Sequence, residues 1–385
     1  MSDSLLYLLN VSNPDRLSAD SGWIFANVLL PALADRGVEV TIGCPVAMSD
    51  LRVRSLPMSV PGTKYRARFG LDMDEAAYLI RHTQPGVVFA NQMENAPGLR
   101  AVMLETGCDG MLAGYCHYVP FHLDDDGFIV RDPSLDDGGL GMSVVLHFYS
   151  GLLACDRVLV HSQTSHDWIL GGAAQLGIDL GDRLRVVMPA RDPRVIRSGP
   201  VTPPPGDPVA VYNHRLYAHY GTRRFVDLAR RLTSGKTARV QVLDLFGTRR
   251  AGRTSLDSSP ERYRRALSEV DGVEVVNDGG DRDTYRNMLA GAHFAVAPFR
   301  PGCIWSMSVI DCQAMGVPVI APRMGWLAEA VDEQLLFDHE DQAVDLARRL
   351  TTDPRFWAHH SATARRFTEI LTPESTAARF AEALA

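Results

Sequence analysis

Residues 293–322 read HFAVAPFRPGCIWSMSVIDCQAMGVPVIAP, and the fold turns on how this stretch is read. Val296 and its apolar neighbours have the character of a buried strand, Arg300 to Met307 that of a loop, Met307 to Met315 that of a helix, and Pro318 to Ala321 that of the next strand. One β-loop-α-β unit results. In such a unit the loop opens at the carboxyl edge of a parallel sheet, where the first N–H groups of the helix can receive an anion, a phosphate-bearing ligand above all. Ser306 and Ser308 suit that task and equally suit plain capping of the helix.

The stretch resembles the donor-site signature of retaining, GT4-like glycosyltransferases of the two-domain GT-B type, E-x7-E-x-x-x-x-G-x-P-V. Asp311 stands at the second glutamate, Gly316-Val317-Pro318-Val319 follows at the spacing of the E-A-M-A-x-G form, and Cys303 replaces the first glutamate. The resemblance implies an α/β fold with two Rossmann-like domains whose parallel sheets face an interdomain cleft. It also implies a donor site in which the backbone of Ser306 and Met307 holds the nucleotide sugar, with Cys303, Trp305 and Ser308 beside it and Asp311 on the ribose.

Outward from this unit, the chain has 385 residues, 46% hydrophobic and 22% charged, enough for two domains with separate cores. Pro200 to Pro208 is the clearest linker. It divides an acceptor-binding domain, 1–199, from a nucleotide-sugar-binding domain, 209–364, and 365–385 reads as a helix that in the resembled family returns to the first domain. Six cysteines without paired spacing predict reduced thiols and a cytoplasmic location. No apolar run is long enough to span a membrane. A net charge of −7 argues against extended nucleic-acid binding. Oligomeric state is not readable.

In the first half, Leu5 to Leu9 reads as a buried strand, and Asp20 or Ser21 as the cap of the helix that follows it. Ser21 and Gly22 are candidates for touching the donor and Trp23 for touching the acceptor; an ordinary capped helix accounts for them equally. Lys64 to Arg68 reads as a solvated loop or part of an acceptor site. The strand 86–90 delivers Glu94 at its carboxyl end, a candidate general base or hydroxyl-binding group, or part of a helix cap. His117 ends the next strand, where the resemblance implies a contact to the donor sugar. Asp124-Asp125-Asp126 is a literal D-x-D but reads as an acidic turn, not a metal site. Asp136 and Asp137, among aromatic residues, suit a cationic or hydroxyl-rich acceptor.

In the second half, Asn213-His214-Arg215 opens a segment similar to the family pattern G-R-L-x-x-x-K-G. Arg215 keeps the arginine that neutralises the donor diphosphate, but Tyr220 replaces the lysine. His219, Arg223 or the helix N-terminus near Ser306 are the available substitutes. Gly247 ends a strand where a base or ribose could lie. The resemblance thus implies a metal-independent, retaining transferase with no resident cofactor, a nucleoside-diphosphate sugar as co-substrate (GDP or UDP favoured) and a polar small-molecule acceptor. An acceptor base in tRNA or DNA, and a nucleotide-binding partner without transferase activity, are the alternatives.

Overall fold

The structure is a computed structural model, and it describes residues 4–132, 139–199, 201–243 and 258–385. The chain forms two compact units, one of residues up to Ala190 together with Pro373–Ala385, the other Arg191–Thr372. The division falls at Ala190, so the proline-rich stretch read as a linker belongs to the second unit.

The first unit runs β1 (Ser4–Leu8), α1 (Ser21–Ala34), β2 (Glu39–Cys44), β3 (Val53–Pro57), α2 (Lys64–Phe69), α3 (Met73–Thr83), β4 (Val87–Ala90), α4 (Ala96–Thr106) and β5 (Met111–Tyr115). It continues with β6 (Phe121–Leu123), β7 (Ile129–Arg131), α5 (Gly141–Ala154), β8 (Arg157–Val160), α6 (Gln163–Gln175) and β9 (Leu184–Val186). Its main sheet has the order β3-β2-β1-β4-β5-β8-β9 with every pairing parallel. Strands covered by helices on both faces are continuously apolar rather than alternating, and β1, β4 and β8 have that character.

The second unit runs β10 (Val209–Tyr212), α7 (Thr222–Ser234), β11 (Arg239–Leu243), α8 (Ser259–Ser268), β12 (Val273–Val276), α9 (Arg282–Ala290) and β13 (Phe294–Val296). Then follow α10 (Met307–Ala314), β14 (Val319–Pro322), α11 (Leu327–Ala330), β15 (Leu336–Phe337), α12 (Glu340–Thr352) and α13 (Pro354–Glu369). Its sheet is β12-β11-β10-β13-β14-β15, again parallel. Last comes α14 (Pro373–Ala383), which belongs to the first unit: Ala377, Phe380 and Leu384 join the core around β1 and α1, and the Phe380 ring lies 5.0 Å from that of Phe89.

Several elements differ from the sequence reading. Lys64 to Arg68 is helix α2 rather than a solvated loop, because Thr63 caps it by accepting from the Arg66 N–H at 3.2 Å. Residues 365–385, read as one helix, hold the end of α13 and then α14, since Pro373 starts a new helix where its missing N–H costs nothing. α11 is a single turn. The acidic turn read at Asp124 is present between antiparallel β6 and β7, with Asp124 Oδ1 accepting from the N–H groups of Asp126 at 3.1 Å and Phe128 at 2.7 Å. All six cysteines are free thiols. Among the described residues, no helix is long and apolar enough to cross a membrane.

Candidate active site

In each unit the sheet grows from a central pair in opposite directions. The pairs are β1 and β4 in the first unit and β10 and β13 in the second, and the loops leaving their carboxyl ends diverge to opposite sides. Such switch points leave a crevice at the sheet edge where α/β proteins take ligands. Most of the sequence candidates lie on the loops that leave these two places or on the first turns of the helices that follow, whereas His117 follows β5.

In the second unit the loop after β10 is laced to the first turn of α10. Asn213, fully buried, donates from Nδ2 to the Ser308 carbonyl at 3.0 Å, to the Tyr285 hydroxyl at 2.8 Å and to Cys312 Sγ at 3.4 Å. A second lace ties the far end of the loop, where the Phe299 N–H donates to the Tyr220 carbonyl at 3.0 Å. Gly221 makes this approach possible: its φ is +65°, and a Cβ there would sit 2.4 Å from both Cβ and O of Phe299. Buried His214 is the next anchor, its imidazole pushed down to about 3 by burial and so uncharged. Arg215, half-buried, therefore leaves a fixed piece of backbone beside the α10 first turn.

At that turn Ser306 Oγ accepts from the Val309 N–H at 3.4 Å. Helix geometry leaves the N–H groups of Met307 and Ser308 without an intrahelical acceptor, at the positive end of the helix dipole. The nearby cations differ in availability. Arg224 is committed to Glu340 at 2.7 Å and to the Phe299 ring, Arg223 is exposed on α7, and His219 is exposed and stacked on Tyr217. Arg300 places its guanidinium 5.1 Å from the centre of the Tyr220 ring. At the position where the resembled family has lysine, this chain thus has an aromatic ring with an arginine laid on it. Sequence reading passed Arg300 over, although an arginine in the loop after β13 was the available signal.

Asp311, on α10, is buried. Its Oδ2 accepts from the Tyr285 hydroxyl at 3.0 Å and its Oδ1 has no partner. Burial pushes its carboxyl up to about 7, against the pull of Arg282. Behind it stands a cluster that the sequence did not disclose. Asp192 accepts from Arg194 Nε at 3.1 Å and Nη2 at 3.0 Å and from Arg282 Nη2 at 3.1 Å, and the Arg282 guanidinium lies 5.2 Å from the centre of the Tyr285 ring. Burial works against the Asp192 carboxylate, but the bonds from Arg194 and the charge of Arg282 outweigh it and hold the group below its usual range.

Cys303 is buried, with Sγ 3.7 Å from the Trp305 carbonyl, and burial pushes its thiol up to about 11. It is an uncharged core thiol. The Trp305 ring packs with its centre 4.6 Å from that of Trp326, whose backbone N–H donates to the Cys303 carbonyl at 2.9 Å.

In the first unit Asp20 caps α1 by accepting from the Trp23 N–H at 3.0 Å, which leaves Ser21 and Gly22 as the opening residues of the helix. Gly22 sits against the end of β4: a Cβ there would come within 2.6 Å of Asn91 Nδ2 and 2.9 Å of Leu9 Cδ1. Asn91 cannot easily yield, because its Oδ1 holds the buried Tyr7 hydroxyl. Gly22→Ala is therefore expected to destabilise the first unit by about 1–3 kcal/mol. An unchanged thermal unfolding curve would show that Asn91 can swing aside.

His117 lies against the rings of Phe25 and Tyr115, its Nε2 buried without a partner. Burial pushes it down to about 3, so it is a neutral imidazole. Glu94 is paired, because Arg68 Nε and Nη2 both reach its Oε1 at 2.7 Å. A carboxylate so engaged positions Arg68, whose guanidinium lies 4.1 Å from the centre of the Tyr118 ring, rather than standing open as a base. Asp136, Asp137 and Gly247 lie outside the described residues.

No protein-family model and no curated protein sequence matches the chain. Solved structures do, over the whole length. Sucrose-phosphate synthase from Thermosynechococcus elongatus matches with a TM-score of 0.75 at 14% identity, covering 99% of this chain and 98% of its own. A glycosyltransferase from Rickettsia africae ESF-5 gives 0.68 at 12%, covering 99% and 97%. Anabaena HepE in complex with UDP and glucose gives 0.67 at 12%, covering 100% and 99%. The fold is that of the GT-B glycosyltransferases, with two Rossmann-like domains.

Proposed function

We propose that the chain is a retaining glycosyltransferase that moves a sugar from a nucleoside diphosphate to a polar or cationic small-molecule acceptor, without a metal at the reaction centre. The observation that carries this reading is the lacing of the Arg215 loop to the first turn of α10 at the β10/β13 switch point. A guanidinium carried on anchored backbone, helix N–H groups without intrahelical acceptors and the nearby Arg300 make a receptor for a diphosphate. HepE, of the same fold, is solved with UDP and with UDP-glucose, which favours UDP among the nucleotides.

In this reading Arg215 and the N–H groups of Met307 and Ser308 stabilise the charge that grows on the departing diphosphate, and positioning supplies the rest of the catalysis. Asp311 receives the ribose hydroxyls, and the neutral imidazole of His117 bonds a hydroxyl of the donor sugar. The buried thiol of Cys303 cannot take a carboxylate's part in sugar recognition, so the donor sugar is one that is held without it.

That same thiol is the observation behind a second reading, a nucleotide-binding partner that transfers nothing. Calorimetric titration with UDP, GDP, ADP and dTDP, without added metal, tests both. Tight binding of one nucleotide with consumption of its sugar conjugate is expected. Binding without consumption on any acceptor supports the second reading, and no binding at all overturns the donor site.

A further inference from the structure

On the second unit, away from the α10 N-terminus, Asp332, His359 and His360 bring three metal-ligating side chains together, their ligand atoms all within 4.8 Å of one another. His359 and His360 are neighbours on α13, and Asp332 lies between α11 and β15. His360 is 1% exposed, and neither of its ring nitrogens has a hydrogen-bond partner. Its Nδ1 is 3.8 Å from Asp332 Oδ2, too far for a hydrogen bond. Burying such a group unpaired is unfavourable, because the hydrogen bonds it makes in water are not replaced.

Packing fixes the His360 ring in this place, with Phe356 edge-on at 4.3 Å and His359 edge-on at 4.9 Å. Asp332 is oriented too, because its Oδ1 accepts from the Gln334 N–H at 2.9 Å and Oδ2 is left turned toward His360. Asp332 and His360 line a cavity of about 200 Å³ that Gln313 and Glu329 also line. Gln313 donates from Nε2 to the Ala330 carbonyl at 2.8 Å, which leaves its buried Oε1 without a partner. Both nitrogens of His360 and the Oε1 of Gln313, buried and without partners, thus belong to residues that line one cavity, otherwise walled largely by apolar side chains.

We propose that Asp332, His359 and His360 bind a divalent transition-metal ion of the zinc class. Two imidazoles and one carboxylate are a donor set for such ions, whereas calcium and magnesium take oxygen ligands. Ligand bonds of about 2.0–2.2 Å around a tetrahedral ion set neighbouring ligand atoms about 3.3–3.6 Å apart. The set, whose atoms lie within 4.8 Å of one another, therefore closes by roughly 1 Å, a movement open to the side chain of His359 because it is exposed. Solvent supplies the fourth ligand, from the cavity that Gln313 also lines. The ion ties α13 to the segment between α11 and β15, against Gln313 of α10.

The test uses the full chain after dialysis against a chelator. Zinc uptake by equilibrium dialysis, unfolding temperature with and without zinc, and the visible absorption of the cobalt-loaded protein are compared for wild type, His359→Ala and Asp332→Asn. Both substitutions are at accessible positions, and Asn keeps the Asp332 cap to Gln334. The expected result is one equivalent of zinc per wild-type chain, a rise in unfolding temperature on adding it, and loss of both in each variant. Equal zinc binding by all three proteins, or none by wild type, overturns the site and leaves the cavity to water. None of these readouts uses a nucleotide, so failure here and failure of the donor site are separate results.

Discussion

Replacing Arg215 with alanine is expected to weaken nucleoside-diphosphate binding by about 10–100-fold and to lower sugar transfer by about 10²–10³-fold, or 3–4 kcal/mol, with the fold intact. The backbone of this loop is held by Asn213 and His214, both buried, and by the Tyr220–Phe299 bond, so truncating a half-buried side chain between these anchors leaves the lacing in place. In the proposed site the cation lost is the one that meets the charge growing as the diphosphate departs, so turnover should suffer more than binding. Lysine at the same position restores the charge but not the two-pronged geometry and recovers only part of the loss. Arg223→Ala, on the exposed face of α7, leaves both quantities near wild type. Calorimetry with the preferred nucleotide and the rate of nucleotide-sugar consumption check these outcomes. Equal effects of Arg215→Ala and Arg223→Ala would remove Arg215 from the site.

How much of this could be read from the chain differs from element to element. The β-loop-α-β unit at 293–322 was legible because its apolar runs are bounded by Pro298, Gly302, Gly316 and Pro318, and local turn chemistry fixes where each element stops. Ser306 as the cap of α10 followed from the same logic. The partners of the site residues did not, because they come from remote parts of the chain. Nothing local to Glu94 says that Arg68 will hold it, and that pairing exists only because Thr63 starts a short helix that turns Arg68 inward. Asp192, Arg194 and Arg282 are unremarkable in sequence and become one cluster only after the second sheet is built. Arg300 was visible as a loop arginine, but its placement on Tyr220 depends on the lacing of two loops. Local physics set the elements, and tertiary pairing decided which charges remain available to a ligand.

The Asp311 carboxyl is expected to make the second unit less stable as pH rises from about 4 to about 7. Its value in the folded chain, pushed up to about 7 by burial, lies above that of an exposed aspartate. In this window the folded protein keeps a proton that the unfolded chain has released, and stability falls with pH wherever the native state binds more protons. The full effect is about 4 kcal/mol, reached above pH 7, and it is absent below the unfolded value near 4. Asp311→Asn keeps the shape and can still accept from Tyr285 but cannot ionise. The variant should therefore gain on wild type in unfolding temperature between pH 5 and pH 7.5, then hold a constant difference. Ligand binding pulls the other way. With the ribose on Asp311 as proposed, its hydroxyls donate most strongly to the ionised carboxylate, so nucleotide affinity of the wild type should fall by up to about tenfold per pH unit below 7. The ratio of wild-type to Asp311→Asn affinity, measured from pH 5.5 to pH 8, cancels the titration of the nucleotide's own phosphate. A ratio that does not change with pH would show that the ribose does not reach Asp311, and the carboxyl would then serve only the buried contact with Tyr285.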